Sequence, residues 1–386
     1  MINLLDRSFY AGDPYPGYAW MRAEAPVYHD ASSGLWALSR HADVLAAERN
    51  TAVFSSALGS RPGRLPQPSM IDSDDPVHTR RRRVVSRGFT PRRVADHEAH
   101  VRAVVTSLID AVAPSGACDL VADLAAPLPM RMIAELLGVP PSDGPRLQHW
   151  SDQLISGADD PAYRTDAVIQ AAMEWGAYAS AIVSSRRETP RDDLMSLLVA
   201  ESDEDGLSHE ELIGEALLLL VGGNETTRNV ISGGMEALMR HPDQMARLAA
   251  DPSGIPLAVE ECLRWVTPII NMARTVVVDA PVRDVVIPAG DQVLLLYASA
   301  NRDEEVFEEP SRFDTQRSPN NHVSFGFGTH FCLGAALARL EIRVMLEELL
   351  RRLPDMALES PSDPVERTPS SFIRGIPSMR VVFTPR

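Results

Sequence analysis

One cysteine stands inside a glycine-punctuated aromatic run, Phe325-Gly326-Phe327-Gly328-Thr329-His330-Phe331-Cys332-Leu333-Gly334. Directly behind it the apolar residues fall at helical spacing: Ala335, Ala336, Leu337, Ala338, Leu340 and Ile342. This order of loop, cysteine and helix constrains the fold strongly. Glycines let the chain turn through conformations closed to other residues. The sulfur then lies where backbone N–H groups and a helix dipole stabilise negative charge. Most free cysteines are small buried core residues, so the loop carries more information than the thiol. Cys118 and Cys262 lie far from it and from each other. Three cysteines without CxxC spacing form neither a disulfide framework nor a zinc site, which fits a reducing compartment.

A reachable thiolate beside glycines that admit a flat ligand suits an axial haem ligand, whose sulfur pushes electron density onto iron and favours O–O cleavage. The pattern Phe-x-x-Gly-x-x-x-Cys-x-Gly resembles the haem-binding loop of the cytochrome P450 superfamily. The resemblance extends through most of the chain. It implies a mainly α fold, a large helical body with a small discontinuous β region, and haem b as cofactor. Cys332 would be the iron ligand, with Phe325, Gly328 and Gly334 shaping the loop around it.

The remaining sequence is consistent with that architecture. Helical periodicity dominates from about residue 80 to 263 and is clearest over 101–112, 130–137, 167–185, 210–239 and 255–265. Short β-like runs fall at 27–29, 35–38, 275–278, 285–287, 293–296 and 381–383, and Pro288-Ala289-Gly290-Asp291 reads as a turn. Without a repeat or a low-complexity linker, residues 1–386 read as a single domain. The longest purely apolar run, 216–221, is far short of the roughly 20 residues that span a bilayer. The amino terminus has no basic region followed by an apolar core, so a cytoplasmic protein without membrane insertion is expected. A net charge of −16 and a pI near 5.1 argue against nucleic acid and anionic membranes as partners.

A second constellation lies at Leu217-Leu218-Leu219-Leu220-Val221-Gly222-Gly223-Asn224-Glu225-Thr226-Thr227. Tandem glycine within a helix costs about 1 kcal/mol per residue against alanine. It is tolerated where something approaches the backbone or the helix deforms. The segment resembles the superfamily's Ala/Gly-Gly-x-Asp/Glu-Thr pattern. That implies Thr226 as the hydroxyl that hydrogen-bonds dioxygen and Glu225 as part of a proton relay. The competing reading is a threonine bonded back to its own helix beside a solvated acid.

Glu261 and Arg264 form an i,i+3 pair. By resemblance they are a buried structural ion pair completed by a later arginine, matched to Arg312 in Glu309-Pro310-Ser311-Arg312-Phe313. Haem propionates need cationic or hydrogen-bonding partners. His78 and Arg82 share a helical face at i,i+4, within Asp75-Pro76-Val77-His78-Thr79-Arg80-Arg81-Arg82-Arg83. The resemblance adds Arg274 and His330 to this set. Outward members of Arg80, Arg81, Arg83 and Arg87 would make a basic patch on an acidic molecule, suited to an acidic electron-transfer partner.

The resemblance therefore implies a haem-thiolate monooxygenase that inserts one oxygen atom of O2 into a C–H bond. Its electrons would come from a ferredoxin-type partner with a separate NAD(P)H-dependent reductase, because the chain has no cluster, flavin or nicotinamide motif. A peroxygenase or a non-catalytic haem sensor is the alternative. Candidate pocket segments are 58–70, 154–163, 219–223, 268–272 and 372–373, with Met70, Leu219, Gly222, Ile269, Ile270 and Phe372 forming the lining. Residues 120–137, 222–228 and 324–340 resemble actinobacterial steroid side-chain hydroxylases, which act on the terminal methyl of cholesterol and cholest-4-en-3-one. A macrolide or polyketide hydroxylase is the other substrate reading.

Overall fold

The computed structural model describes residues 2–62, 66–157, 165–205 and 207–386, and its longest element is the helix His209–Arg240. A capping box fixes the start of this helix. Ser208 Oγ accepts the Glu211 N–H at 3.1 Å, and the Glu211 carboxylate accepts the Ser208 N–H at 2.7 Å. Leu212, Ala216, Leu220, Asn224, Ile231, Met235 and Leu238 are all buried. A helix apolar nearly all round has to cross an interior. This one packs on Pro127–Leu136, Ile255–Val266 and Ala335–Arg352. One core cluster, including Leu108, Leu124, Ile231, Met235, Cys262 and Leu346, joins these helices. A second, around Trp150, Trp175, Leu198 and Leu220, covers the amino-terminal half of the long helix.

The five helices expected from periodicity occur as Glu98–Val112, Pro127–Leu136, Asp166–Glu188, His209–Arg240 and Ile255–Val266. Their ends move because a first turn accepts proline and acids that the apolar period does not register. Helices Arg7–Ala11, Tyr15–Glu24 and His41–Arg49 lie outside the stretch read as helical.

The main sheet has the spatial order Val27–Asp30, Leu35–Leu38, Gln292–Leu295, Met272–Val276, Phe54–Ser55. Only the pairing of Leu35–Leu38 with Gln292–Leu295 is parallel. The strand read over 275–278 sits earlier than expected. Ala273 and Arg274 pair with Leu294 and Val293, whereas Val277 and Val278 lie exposed beyond that ladder. Two smaller units complete the β structure: Ala117–Asp119 with Arg380–Val382 and Ala357–Leu358, and the hairpin Ala280–Val282 with Val285–Ile287. No helix among the described residues is long and apolar enough to cross a membrane.

Candidate active site

A cavity of about 1470 Å3, counted with its open mouth, lies between the middle of the long helix, the 325–334 loop and the helix Val77–Ser86. Cys332 is on its wall; Cys118 and Cys262 are in the core. Burial pushes the Cys118 thiol up to about 12 and raises that of Cys262 as well. Burial also raises the Cys332 thiol, but here the Gly334 N–H and the charges of Arg82 and Arg339 oppose it. A bound cation would reverse the balance, since a coordinated thiol loses its proton outright.

The loop is closed by the Cys332 N–H donating to the Phe325 carbonyl at 2.9 Å. Gly326 and Gly328 turn it with φ of +67° and +66°. Phe325 and Gly334 line the cavity, and a Cβ built on Gly334 would meet only open space. Gly328 differs from expectation. It is absent from the wall, and a Cβ there would come within 2.9 Å of the Glu48 carbonyl oxygen. Its glycine serves the turn and the close approach of two backbones.

His78, Arg82, Arg274 and His330 come together on one side of the cavity. The rings of His78 and His330 lie 4.3 Å apart. Burial, then Arg82, lowers the pKa of His78, and burial with Arg274, His78 and Arg82 pushes His330 down to about 3. Both rings are therefore neutral near pH 7. His78 is 1% exposed, and neither of its ring nitrogens is hydrogen-bonded, the Asp75 carboxylate standing off at 3.7 Å. Arg82 donates to the Phe331 carbonyl at 2.6 Å, and Arg274 meets Glu48 at 2.8 Å. Glu48 also accepts the Tyr297 hydroxyl. Orphaned buried nitrogens call for a ligand acceptor. Two guanidinium groups, two imidazoles, a cavity thiol and the open face of Gly334 fit an iron porphyrin with two carboxylates.

Across the cavity, Gly222 and Thr226 form the wall, and a Cβ on Gly222 would meet nothing. The helix passes through Gly222-Gly223 without interruption. The Thr226 hydroxyl donates to the Gly222 carbonyl at 2.8 Å, the back-bonded arrangement. Glu225 is buried and paired with Arg228, which also meets Asp152 at 3.2 Å. Burial outweighs that pairing and pushes the Glu225 carboxyl up to about 8.

Met70, Leu219 and Ile269 line the same cavity. Phe372 lines an adjoining one of about 810 Å3, which shares Ile71, Leu218, Gly222, Thr226, Ile269 and Met272 with the first. The expectation for Ile270 is corrected. Successive residues of an extended segment face opposite ways, so Ile270 packs with Leu4, Tyr10 and Tyr18 while Ile269 faces the cavity. Of the candidate pocket segments, residues 63–65 and 158–163 lie outside the described residues.

The ion pair also needs a correction. Arg264 clasps Glu261 through two contacts of 2.7 Å, with both side chains at 0% exposure. The third arginine is Arg317, 3.2 Å from Glu261, not Arg312. The Arg312 side chain pairs with Glu309 at the surface, and only its backbone carbonyl reaches Arg264. The basic run changes too. Arg81 is buried, donating to the Ser69 carbonyl and paired with Glu211, while Arg83 and Arg87 are exposed.

Sequence reasoning missed Glu48, Tyr297 and Glu341. Glu341 lines the cavity with one carboxylate oxygen unpartnered, and burial pushes it up to about 8. Its signal was an acid within the apolar stripe of Leu337, Leu340 and Val344.

A profile of the cytochrome P450 family matches residues 165–252 and 255–382. A steroid C26-monooxygenase of Mycobacterium tuberculosis is 46% identical over 388 residues, covering 100% of this chain and 97% of that protein. A methyl-branched lipid omega-hydroxylase of Mycobacterium bovis is 43% identical, covering 95% and 90%. A solved cytochrome P450 of Mycobacterium marinum in complex with pseudoionone superposes with a TM-score of 0.91 at 37% identity, over 99% of this chain and 98% of that one. The chain belongs to the cytochrome P450 family. It is a monooxygenase with haem b as its cofactor, and its mainly α architecture with small sheets is that of its relatives.

Proposed function

We propose that this monooxygenase hydroxylates the terminal methyl of a steroid side chain, with cholesterol or cholest-4-en-3-one entering tail first. The observation that carries the reading is one cavity that joins the Cys332 sulfur and the carboxylate-binding set to an apolar wall of Met70, Leu219 and Ile269. The names of the 46% and 43% identical relatives, a steroid C26-monooxygenase and a lipid omega-hydroxylase, support oxidation at a chain end. Burying a steroid's large apolar surface at about 25 cal/mol per Å2 supplies binding free energy without a specific hydrogen bond.

When bound, the haem supplies cleavage of O2, one oxygen atom entering the C–H bond and the other leaving as water with two electrons and two protons. Cys332 is its thiolate ligand, and His78, Arg82, Arg274 and His330 hold its propionates. Thr226, on the cavity wall, positions a proton at its hydroxyl. Glu225, pushed up to about 8, can hold and release a proton near neutral pH. Electrons arrive singly from a ferredoxin-type partner served by a separate NAD(P)H-dependent reductase, in the cytoplasm.

Titration against a panel of steroids and macrolides tests the substrate. Cholest-4-en-3-one at micromolar concentration is expected to convert the haem to high spin and to yield an alcohol at the chain end. A macrolide that does both while the steroid does neither would overturn the steroid assignment.

A further inference from the structure

The helix His41–Arg49 ends against the cysteine loop. A Cβ built on Gly328 would meet the Glu48 carbonyl oxygen, and the Arg49 guanidinium stands over the Phe327 ring, 4.6 Å from its centroid. Between these two contacts the Glu48 side chain turns inward. It is 2% exposed, accepts the Tyr297 hydroxyl and pairs with Arg274 at 2.8 Å. The other terminal nitrogen of Arg274 donates to the Ala273 carbonyl at 2.9 Å. Arg274, Tyr297 and Gly326 all line the cavity, and a Cβ on Gly326 would lie 3.6 Å from the Glu48 carboxylate. The carboxylate is therefore directly behind the wall, beneath the loop that carries Cys332. A carboxylate out of water, in the last turn of a helix, is disfavoured by burial and by the negative end of the helix dipole alike. Arg274 and Tyr297 compensate it. Burial, then the charge of Glu48, holds the Tyr297 pKa well above its usual value, so this hydroxyl stays a donor.

A charge balance follows from these contacts. His78 and His330 are neutral near pH 7, and Glu48 cancels the charge of Arg274. Arg82, bonded to the Phe331 carbonyl, is left as the one cation of the four propionate partners with no carboxylate beside it among the described residues. We propose that Glu48 lowers the reduction potential of the haem, favouring the ferric state by placing a buried anion behind Arg274. The ferric form carries one more positive charge than the ferrous, and a buried charge is screened little by water or salt. The inference rests on the reading that Arg274 holds a propionate. It adds that the site withholds part of the guanidinium charge, so that entry of the first electron is opposed from the helix His41–Arg49. Glu48 acts through Arg274 and is a positioning residue.

Redox titration of the substrate-free holoenzyme tests this. Glu48→Gln keeps the shape of the side chain and an acceptor for Tyr297 but removes the charge. It should raise the ferrous-to-ferric ratio at a given applied potential by about tenfold, a shift of about 59 mV for one electron. Glu48→Asp retains the charge and should stay within about twofold of the unmodified enzyme. A structural role alone would change the rate at which haem is lost to apomyoglobin in both variants and leave the potential where it was. Should Glu48→Gln fail to hold haem, Glu48→Ser, which leaves room for a water beside Arg274, takes its place with the same expectation. Arg274→Gln, measured beside them, should release haem about tenfold faster. An unchanged potential in the charge-removing variant, or an equal rise in Glu48→Asp, overturns the inference, and faster release from Arg274→Gln then leaves the propionate reading standing. If Arg274→Gln releases haem no faster, that reading fails and the inference with it.

Discussion

At the scale of single residues, three cysteines of identical chemistry are separated by their surroundings alone. Cys118 and Cys262 are enclosed by core side chains, while Cys332 has a cavity on one side and two arginines nearby. Cys332→His should therefore abolish the red-shifted absorption of the ferrous carbon-monoxide complex, because imidazole donates less electron density than thiolate. Survival of that band would make another cysteine the ligand. Thr226→Ala should retain haem but uncouple turnover, so that reducing equivalents leave as H2O2 rather than as product. The ratio of product formed to NAD(P)H consumed checks it, and an unchanged ratio would remove Thr226 from the relay. The back-bond to Gly222 does not exclude that role, since the hydroxyl oxygen still has acceptor capacity.

At the scale of elements, the glycines of the loop are legible in sequence, but their separate duties are not. Gly326 and Gly328 have nearly the same φ, yet only Gly328 has a backbone carbonyl, that of Glu48, within 2.9 Å of a built Cβ, and Glu48 lies far away in the order of the chain. Gly328→Ala should cost more than the roughly 1–2 kcal/mol set by a left-handed backbone alone, and Gly326→Ala only about that much. Denaturant midpoints and haem retention compare the two. The ion-pair network allows a similar contrast. Arg264→Ala leaves a carboxylate of zero exposure without its clasp and should cost about 3–5 kcal/mol. Arg317→Ala should cost about 1–3 kcal/mol, because Arg264 and the Asp314 N–H still satisfy Glu261. Arg312→Ala should leave the midpoint where it was. Equal effects at 312 and 317 would restore the earlier assignment. Spacing identified the partner's neighbourhood but chose the wrong arginine, since the choice depends on how the 309–317 segment coils around Glu261.

Across the whole molecule, a chain of net charge −16 carries exposed arginines at position 83, on the helix that supplies Arg82, and at position 87, just after its end. Reduction by a ferredoxin should slow as salt rises, because the screening length shrinks to about 8–10 Å near physiological ionic strength. Charge reversal at Arg83 and Arg87 should slow reduction further without altering substrate affinity. Stopped-flow reduction across a salt series checks both, and a salt-independent rate would indicate apolar docking. By itself the sequence determined the mainly α class, five of the helices, the glycine-rich cysteine loop and the glycine-bearing helix that faces it, because apolar period and glycine spacing act over a few residues. Only the tertiary structure decided that Arg317 completes the ion pair, that Ile270 turns into the core, that Arg81 is buried on Glu211, that Tyr297 and Glu341 border the cavity, and that Glu48 pairs with Tyr297 and Arg274. Each of these depends on which side chains meet across long stretches of chain, and packing fixes that where local periodicity does not.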